Sequence, residues 1–132
     1  MSVAIGDRLI GEDCSALVVA EIGPNHNGSS AVAKRLIDAA KESGCGAVKF
    51  QYHLADAEIH DKKSRSYYYG ESRYEFIKRV QEFPHEIHQS LREYTRQQGL
   101  LYVCSVFSEE AVERVSDLEP DAYKVPSGEI SN

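Results

Sequence analysis

The 132-residue chain holds only three cysteines, Cys14, Cys45 and Cys104, and no Cys-x-x-Cys pair, which excludes the usual signatures of a zinc site or a dithiol redox centre. All three are expected as reduced thiols. Cys45 and Cys104, in small or apolar surroundings, should behave as small hydrophobes rather than nucleophiles. Positive charge is also scarce: 15 Lys and Arg stand against 21 Asp and Glu, a formal net charge of −6. That balance argues against nucleic acid as a partner, because phosphate backbones are bound by basic surfaces. No apolar run approaches the roughly 20 residues that span a bilayer. Met1 to Leu9 lacks the basic-then-apolar order of a secretion signal, so the expectation is a cytoplasmic protein with no membrane partner.

What is present is a regular alternation of strand and helix patterns in one domain's worth of sequence, residues 1–132. Val3-Ala4-Ile5 and Arg8-Leu9-Ile10 flank Gly6-Asp7, a hairpin signal over about residues 3–10 that could plug the bottom of a following sheet. Leu17 to Glu21 reads as a strand buried on both faces, as in parallel sheets. Ser29 or Ser30 caps a helix with Val32, Leu36, Ile37 and Ala40 on one side, and Gly44 stops it. Ala47 to Gln51 is the second strand, and the strand-helix-strand order predicts a parallel crossover. From Tyr52 to Arg73 the periodicity disappears in a stretch too long for a routine connection, hence a functional loop or a partly disordered one. Its Tyr67-Tyr68-Tyr69 run could stack on a sugar ring or simply on itself. Helical patterns resume over Tyr74 to Gln81 and after Pro84, where Ile87, Leu91 and Tyr94 share a face. Strand patterns follow at Leu100 to Cys104 and Ala122 to Val125, with a helix opened by Ser108 between them.

In parallel α/β folds the carboxyl ends of the strands converge on one mouth, so the polar residues there are the candidate site. They are Glu21, Asn25, His26 and Asn27 from the first strand and its loop, Lys49 and Gln51 from the second, Ser105 from the third, and Lys124, Ser127 and Glu129 from the fourth. Lysines, hydroxyls and amides around a pocket suit a bound phosphate and carboxylate, since they replace the anion's hydration. Strand alternation puts Lys49 and Gln51 on one face and Phe50 on the other. An unpaired ammonium in an apolar strand is costly, so Lys49 and Lys124 need either an anionic ligand or a partner such as Glu21 or Glu129. His53, His60, His85 and His88 lack a carboxylate at ligand spacing and read as surface residues.

Three motifs in order, Ala20-Glu21-Ile22-Gly23 with Asn25-His26-Asn27-Gly28, Ala47-Val48-Lys49-Phe50-Gln51, and Tyr123 to Asn132, make the chain resemble the sialic acid synthase family, N-acetylneuraminate synthases and their relatives. The resemblance implies a (β/α)8 TIM barrel, of which this chain supplies the hairpin and the first four strands, a half barrel. It implies condensation of phosphoenolpyruvate with an N-acylated hexosamine such as N-acetylmannosamine. The products would be a nine-carbon 2-keto-3-deoxy acid and phosphate. By that likeness Lys49, Ser105, Lys124 and Ser127 would bind phosphoenolpyruvate, and Gln51, Asn25, His26 and Asn27 the sugar. Glu21 and Glu129 would be the carboxylates at the reacting carbons. A divalent metal, Mn2+ or Mg2+, would take its ligands from outside these residues. The resemblance also implies a homo-oligomer, and a chain inactive without the rest of the barrel. Two alternatives compete: a non-catalytic module binding phosphate or an anionic sugar, and a related 3-deoxy-ulosonate phosphate synthase.

Overall fold

The computed structural model describes residues 1–65 and 70–131. The two apolar runs around Gly6-Asp7 form an antiparallel hairpin, β1 (Ser2–Ile5) and β2 (Arg8–Gly11), with Ile5 opposite Arg8. Gly6 supplies the left-handed φ of 59° in the turn. A Cβ added there would lie 2.7 Å from Leu101 Cδ2 and 3.0 Å from Asp121 Oδ1, so the turn packs where the third and fourth parallel strands begin.

Those strands are β3 (Val19–Glu21), β4 (Ala47–Tyr52), β5 (Leu101–Val106) and β6 (Ala122–Lys124), all parallel and side by side in chain order. The helices between them are α1 (Ser30–Glu42), then α2 (Ala55–Glu58), α3 (Arg73–Phe76) and α4 (His85–Gln97), and finally α5 (Glu109–Ser116). Val48, Phe50, Tyr52, Tyr102, Cys104 and Val106 project from one face of the sheet into a single core with Ala33, Ile37, Leu91, Ala111 and Val115 of the helices. Phe50 and Tyr102, on neighbouring strands, stack with centroids 5.6 Å apart. Full burial of side chains such as Ile37 and Leu91 is worth about 1.5–3 kcal/mol each, which holds the helices to this face. The opposite face carries Glu21, Lys49, Gln51, Val103, Ser105, Ala122 and Lys124, as the pairing register requires.

Three expectations are corrected. The first parallel strand is not buried on both faces: Val18 and Val19 are 56% and 37% exposed, because among the described residues β3 is an edge paired only with β4. The stretch after Tyr52 is partly regular. Glu58 bends back to accept from the Leu54 amide, Arg65 bridges Ser72, and a Ser72/Glu75 capping box starts α3. Tyr67, Tyr68 and Tyr69 lie outside the described residues. The helix expected over Tyr74 to Gln81 is α3 running into a π-helical turn, Ile77–Gln81, in which the Glu82 amide donates to Ile77 O at 2.8 Å.

Candidate functional site

The face away from the helices gathers its polar residues in two rows. Glu21 of β3 stands in register with Lys49 of β4, and Gln51, Ser105 and Lys124 stand in register on β4, β5 and β6. Glu21 and Lys49 form an ion pair, Oε1 to Nζ 2.5 Å, in which the lysine side chain is 15% exposed and the carboxylate 64%. The carboxylate partner foreseen for Lys49 is therefore present. Lys124 is half-buried and forms no ion pair among the described residues. Strands about 4.8 Å apart and alternate residues about 6.6 Å along a strand put the Cα atoms of Lys49 and Lys124 about 12 Å apart. Two extended lysine side chains can meet one small anion across that gap. Ser105 sits between Gln51 and Lys124 in the second row and is buried.

The loop after β3 closes the edge of this face. Its first amide, Ile22 N, donates to Lys49 O at 3.0 Å, which ties the loop to the second strand. Asn25 and Asn27 are exposed, and the Asn25 side chain donates to Ile22 O at 2.8 Å. His26 turns inward: it is 2% exposed, stacks on Phe83 with centroids 4.2 Å apart, and its Nδ1 accepts from the Gly28 amide. Burial, with His53 as a second cause, lowers its pKa to about 4, so the ring is neutral near pH 7. Its side chain thus packs beneath the mouth instead of lining it.

At the end of β4 lies a cleft of about 170 Å3 bounded by Gln51, His53, Arg73, Phe76, Gln81 and Phe107. Gln51 Oε1 accepts from Gln81 Nε2 at 3.1 Å and lies 3.3 Å from His53 Nε2. Sequence reasoning found Gln51 by its place in the strand. It missed Gln81, because the π-helical turn that swings Gln81 inward leaves no trace in an α-helical periodicity. It also misplaced two histidines. His53 is 3% exposed and paired with Glu58 at 2.8 Å, and His88 is fully buried against Tyr52 with Nδ1 3.2 Å from the Tyr102 hydroxyl. The carboxylate partner of His53 was five residues on, carried round by α2. His88 faces the core because α4 turns the Ile87, Leu91 and Tyr94 stripe wide enough to include it.

Glu129 and Ser127 belong to a 3-10 turn, Ser127–Glu129, just past β6. Ser127 is exposed. Glu129 lines a different cavity, of about 550 Å3, with Glu58, Phe107, Glu109, Glu110 and Val125. A further cavity of about 480 Å3, with Arg8, Gly46, Arg96 and Asp121, lies at the amino-terminal ends of the strands, away from both lysines. Cys14, Cys45 and Cys104 are free, and burial pushes the Cys104 thiol up to about 12, which makes it unreactive as a nucleophile. Among the described residues no group of three or more His, Cys, Asp or Glu side chains gathers as a divalent metal would need. Glu21 is committed to Lys49, and His26 Nδ1 to Gly28, so these residues alone do not make a metal centre. Among the described residues no helix is long and apolar enough to cross a membrane.

Known proteins resemble this chain in sequence and in fold. The chain is 34% identical over 128 residues to N,N'-diacetyllegionaminic acid synthase of Legionella pneumophila, covering 92% of this chain and 36% of that protein. It is 34% identical over 134 residues to human N-acetylneuraminate-9-phosphate synthase, covering 95% and 36%. The crystal structure of the spore coat polysaccharide biosynthesis protein of Bacillus subtilis superposes with a TM-score of 0.72 at 29% identity, over 93% of this chain and 32% of the other. The sialic acid synthetase of Leptospira borgpetersenii shares the fold, with a TM-score of 0.78 at 21% identity over 95% and 41%. The chain thus spans about a third of the length of its curated relatives. The model of the NeuB family matches residues 36–132, from within α1 through β4, β5 and β6, and the chain belongs to that family.

Proposed function

We propose that this chain forms one wall of the active site of a sugar-acid synthase that condenses phosphoenolpyruvate with an N-acylated hexosamine, giving a 2-keto-3-deoxy sugar acid and phosphate. The observation that carries the reading is the pair of lysines on one sheet face, Lys49 braced by Glu21 and Lys124 without an ion-pair partner among the described residues, with Ser105 and Gln51 between them. A half-buried, unpaired ammonium beside a hydroxyl is a site for an anion. Strands that follow chain order with every packed helix on one face support a barrel that closes through further strands, of which this is half.

In this reading Lys49 and Lys124 hold the phosphate and carboxylate of phosphoenolpyruvate, with Ser105 and Ser127 donating hydroxyl protons to the same anion. Gln51 meets the acceptor sugar, and Asn25, His26 and Asn27 shape the loop that bounds it. Carbon 3 of the enol forms the new bond to the open-chain aldehyde carbon, the aldehyde oxygen takes a proton, water adds at carbon 2, and the carbon–oxygen bond to phosphate breaks. Glu21 is the carboxylate nearest this chemistry, and its pairing fixes the Lys49 ammonium. Glu129, in the 3-10 turn just past β6, would approach the reacting carbons from that turn. A divalent metal bound with ligands from elsewhere would polarise the aldehyde. Phosphoenolpyruvate titrated into the chain in a calorimeter tests the anion site. Lys49→Ala and Lys124→Ala should each weaken binding by the roughly 1.5–3 kcal/mol of a charged hydrogen bond, about 10- to 150-fold. Unchanged affinity in both variants would sink the assignment.

A further inference from the structure

The geometry points to His53 and Glu58 as a positioning pair for Gln51, setting the amide that meets the acceptor sugar; the inference rests on that role for Gln51. Their side chains are only 2% and 4% exposed, an expensive location for an acid and an imidazole unless each polar atom is answered. Each is answered. Glu58 Oε1 accepts from the Leu54 amide at 2.7 Å, and Oε2 lies 2.8 Å from His53 Nδ1. His53 Nε2 lies 3.3 Å from Gln51 Oε1, and the imidazole ring stacks on Phe107 with centroids 4.0 Å apart. A carboxylate oxygen therefore faces one ring nitrogen and an amide oxygen the other, which fixes the ring between Glu58 and Gln51.

Gln51 receives the consequence. Its amide oxygen is held from two sides, by His53 and by Gln81 Nε2, while its own NH2 group has no hydrogen-bond partner among the described residues. The fixed oxygen leaves the NH2 as a donor at the cleft that also bears Phe76 and Phe107. The scaffold behind this pair is itself braced, since Glu82 Oε2, next to Gln81, accepts from the Ala55 amide at the start of α2 at 2.9 Å. One short helix and one π-helical turn thus clamp the same glutamine, and a long flexible side chain is ordered before any ligand arrives.

The test uses nitrogen-15-labelled chain, with phosphoenolpyruvate and N-acetylmannosamine as separate probes. In the parent chain His53 Nδ1 should carry a proton and the Gln51 side-chain amide should give an ordered NH2 signal. His53→Ala should leave that amide mobile and weaken N-acetylmannosamine about tenfold, the worth of one hydrogen bond, with phosphoenolpyruvate affinity kept within about twofold. Glu58→Gln is the rescuing variant. Its oxygen must stay on the Leu54 amide, so its NH2 faces Nδ1 and drives the ring proton to Nε2, which still donates to Gln51. Gln51 should remain ordered in that variant while the His53 tautomer changes, a signature that a merely structural role would not give. Gln51 equally ordered in His53→Ala, or parallel loss of both ligands, would overturn the positioning role. A parent chain that binds phosphoenolpyruvate but not N-acetylmannosamine would instead overturn the sugar-side role of Gln51, and one that binds neither would overturn the synthase reading.

Discussion

Two buried histidines should make this fold sensitive to mild acid. His88 is fully buried between Tyr52 and Phe83, its Nδ1 engaged by the Tyr102 hydroxyl and its Nε2 without a hydrogen-bond partner among the described residues. Desolvation, then repulsion from His26, His85 and His53, lowers its pKa to about 3. His26, stacked on Phe83, is held at about 4. In the unfolded chain both titrate near the ordinary value of about 6.5. Between pH 6.5 and about 4 the unfolded state therefore binds more protons than the folded one, and stability falls as pH falls through that window. At pH 5 each histidine contributes about 2 kcal/mol of this loss, so roughly 4 kcal/mol disappears between pH 7 and pH 5. Against a total stability of about 5–15 kcal/mol that is a large share. Urea unfolding followed by far-ultraviolet circular dichroism at the two pH values reads it directly. With a slope of about 2 kcal/mol per molar, the midpoint should drop by about 2 M. In His88→Leu the drop should halve, whatever that variant does to stability at pH 7. A parent midpoint that is flat from pH 7 to pH 5, or an undiminished drop in His88→Leu, would refute the assignment of neutral buried rings.

Leu91 is fully buried under the sheet, and Leu91→Ala should lower unfolding free energy by about 2–5 kcal/mol in the same assay at pH 7. Gly28 sits at φ 74° with its would-be Cβ 3.0 Å from the Arg79 carbonyl, so Gly28→Ala should destabilise by more than about 1 kcal/mol. A midpoint equal to the parent's would show that the loop and the π-helical turn are not in close contact. The edges β3 and β6 and the exposed Val18, Tyr123, Val125 and Ile130 leave apolar and hydrogen-bonding surface open. Sedimentation velocity should show self-association that rises with concentration, and a monodisperse monomer across the range would contradict it.

The α/β order and the polar face of the sheet were legible because each rests on a local rule. Ser29 does accept from Val32 N, Gly44 and Gly99 do take left-handed φ, and the alternation in Lys49-Phe50-Gln51 does send Phe50 to the core and the polar pair away from it. What escaped depends on neighbours distant in sequence or on helices that break the usual period. The exposure of Val18 and Val19 follows from being at a sheet edge, which no window around them reveals. His53 looked superficial in a polar stretch, yet Glu58 from one side and Phe107 from the next strand's loop enclose it. His88 shares its helix with charged residues on both sides in sequence, and only the rings of Tyr52, Phe83 and Tyr102 make it a core residue.

The π-helical turn at Ile77–Gln81 makes the cleft depend on how tightly one turn of chain is wound. Its hydrogen bond from Glu82 to Ile77 spans one residue more than an α-helical bond would. Five residues of this turn advance about as far round the axis as four do in an α-helix, so an α-helical path of unchanged length would carry everything after it round by about 100°. Rewound in that way, Gln81 would leave Gln51 and Glu82 would leave Ala55 in one event, although none of those four residues had been altered. The winding of this one turn is thus a discrete way to retune what the mouth accepts while the sheet and its lysines stay as they are.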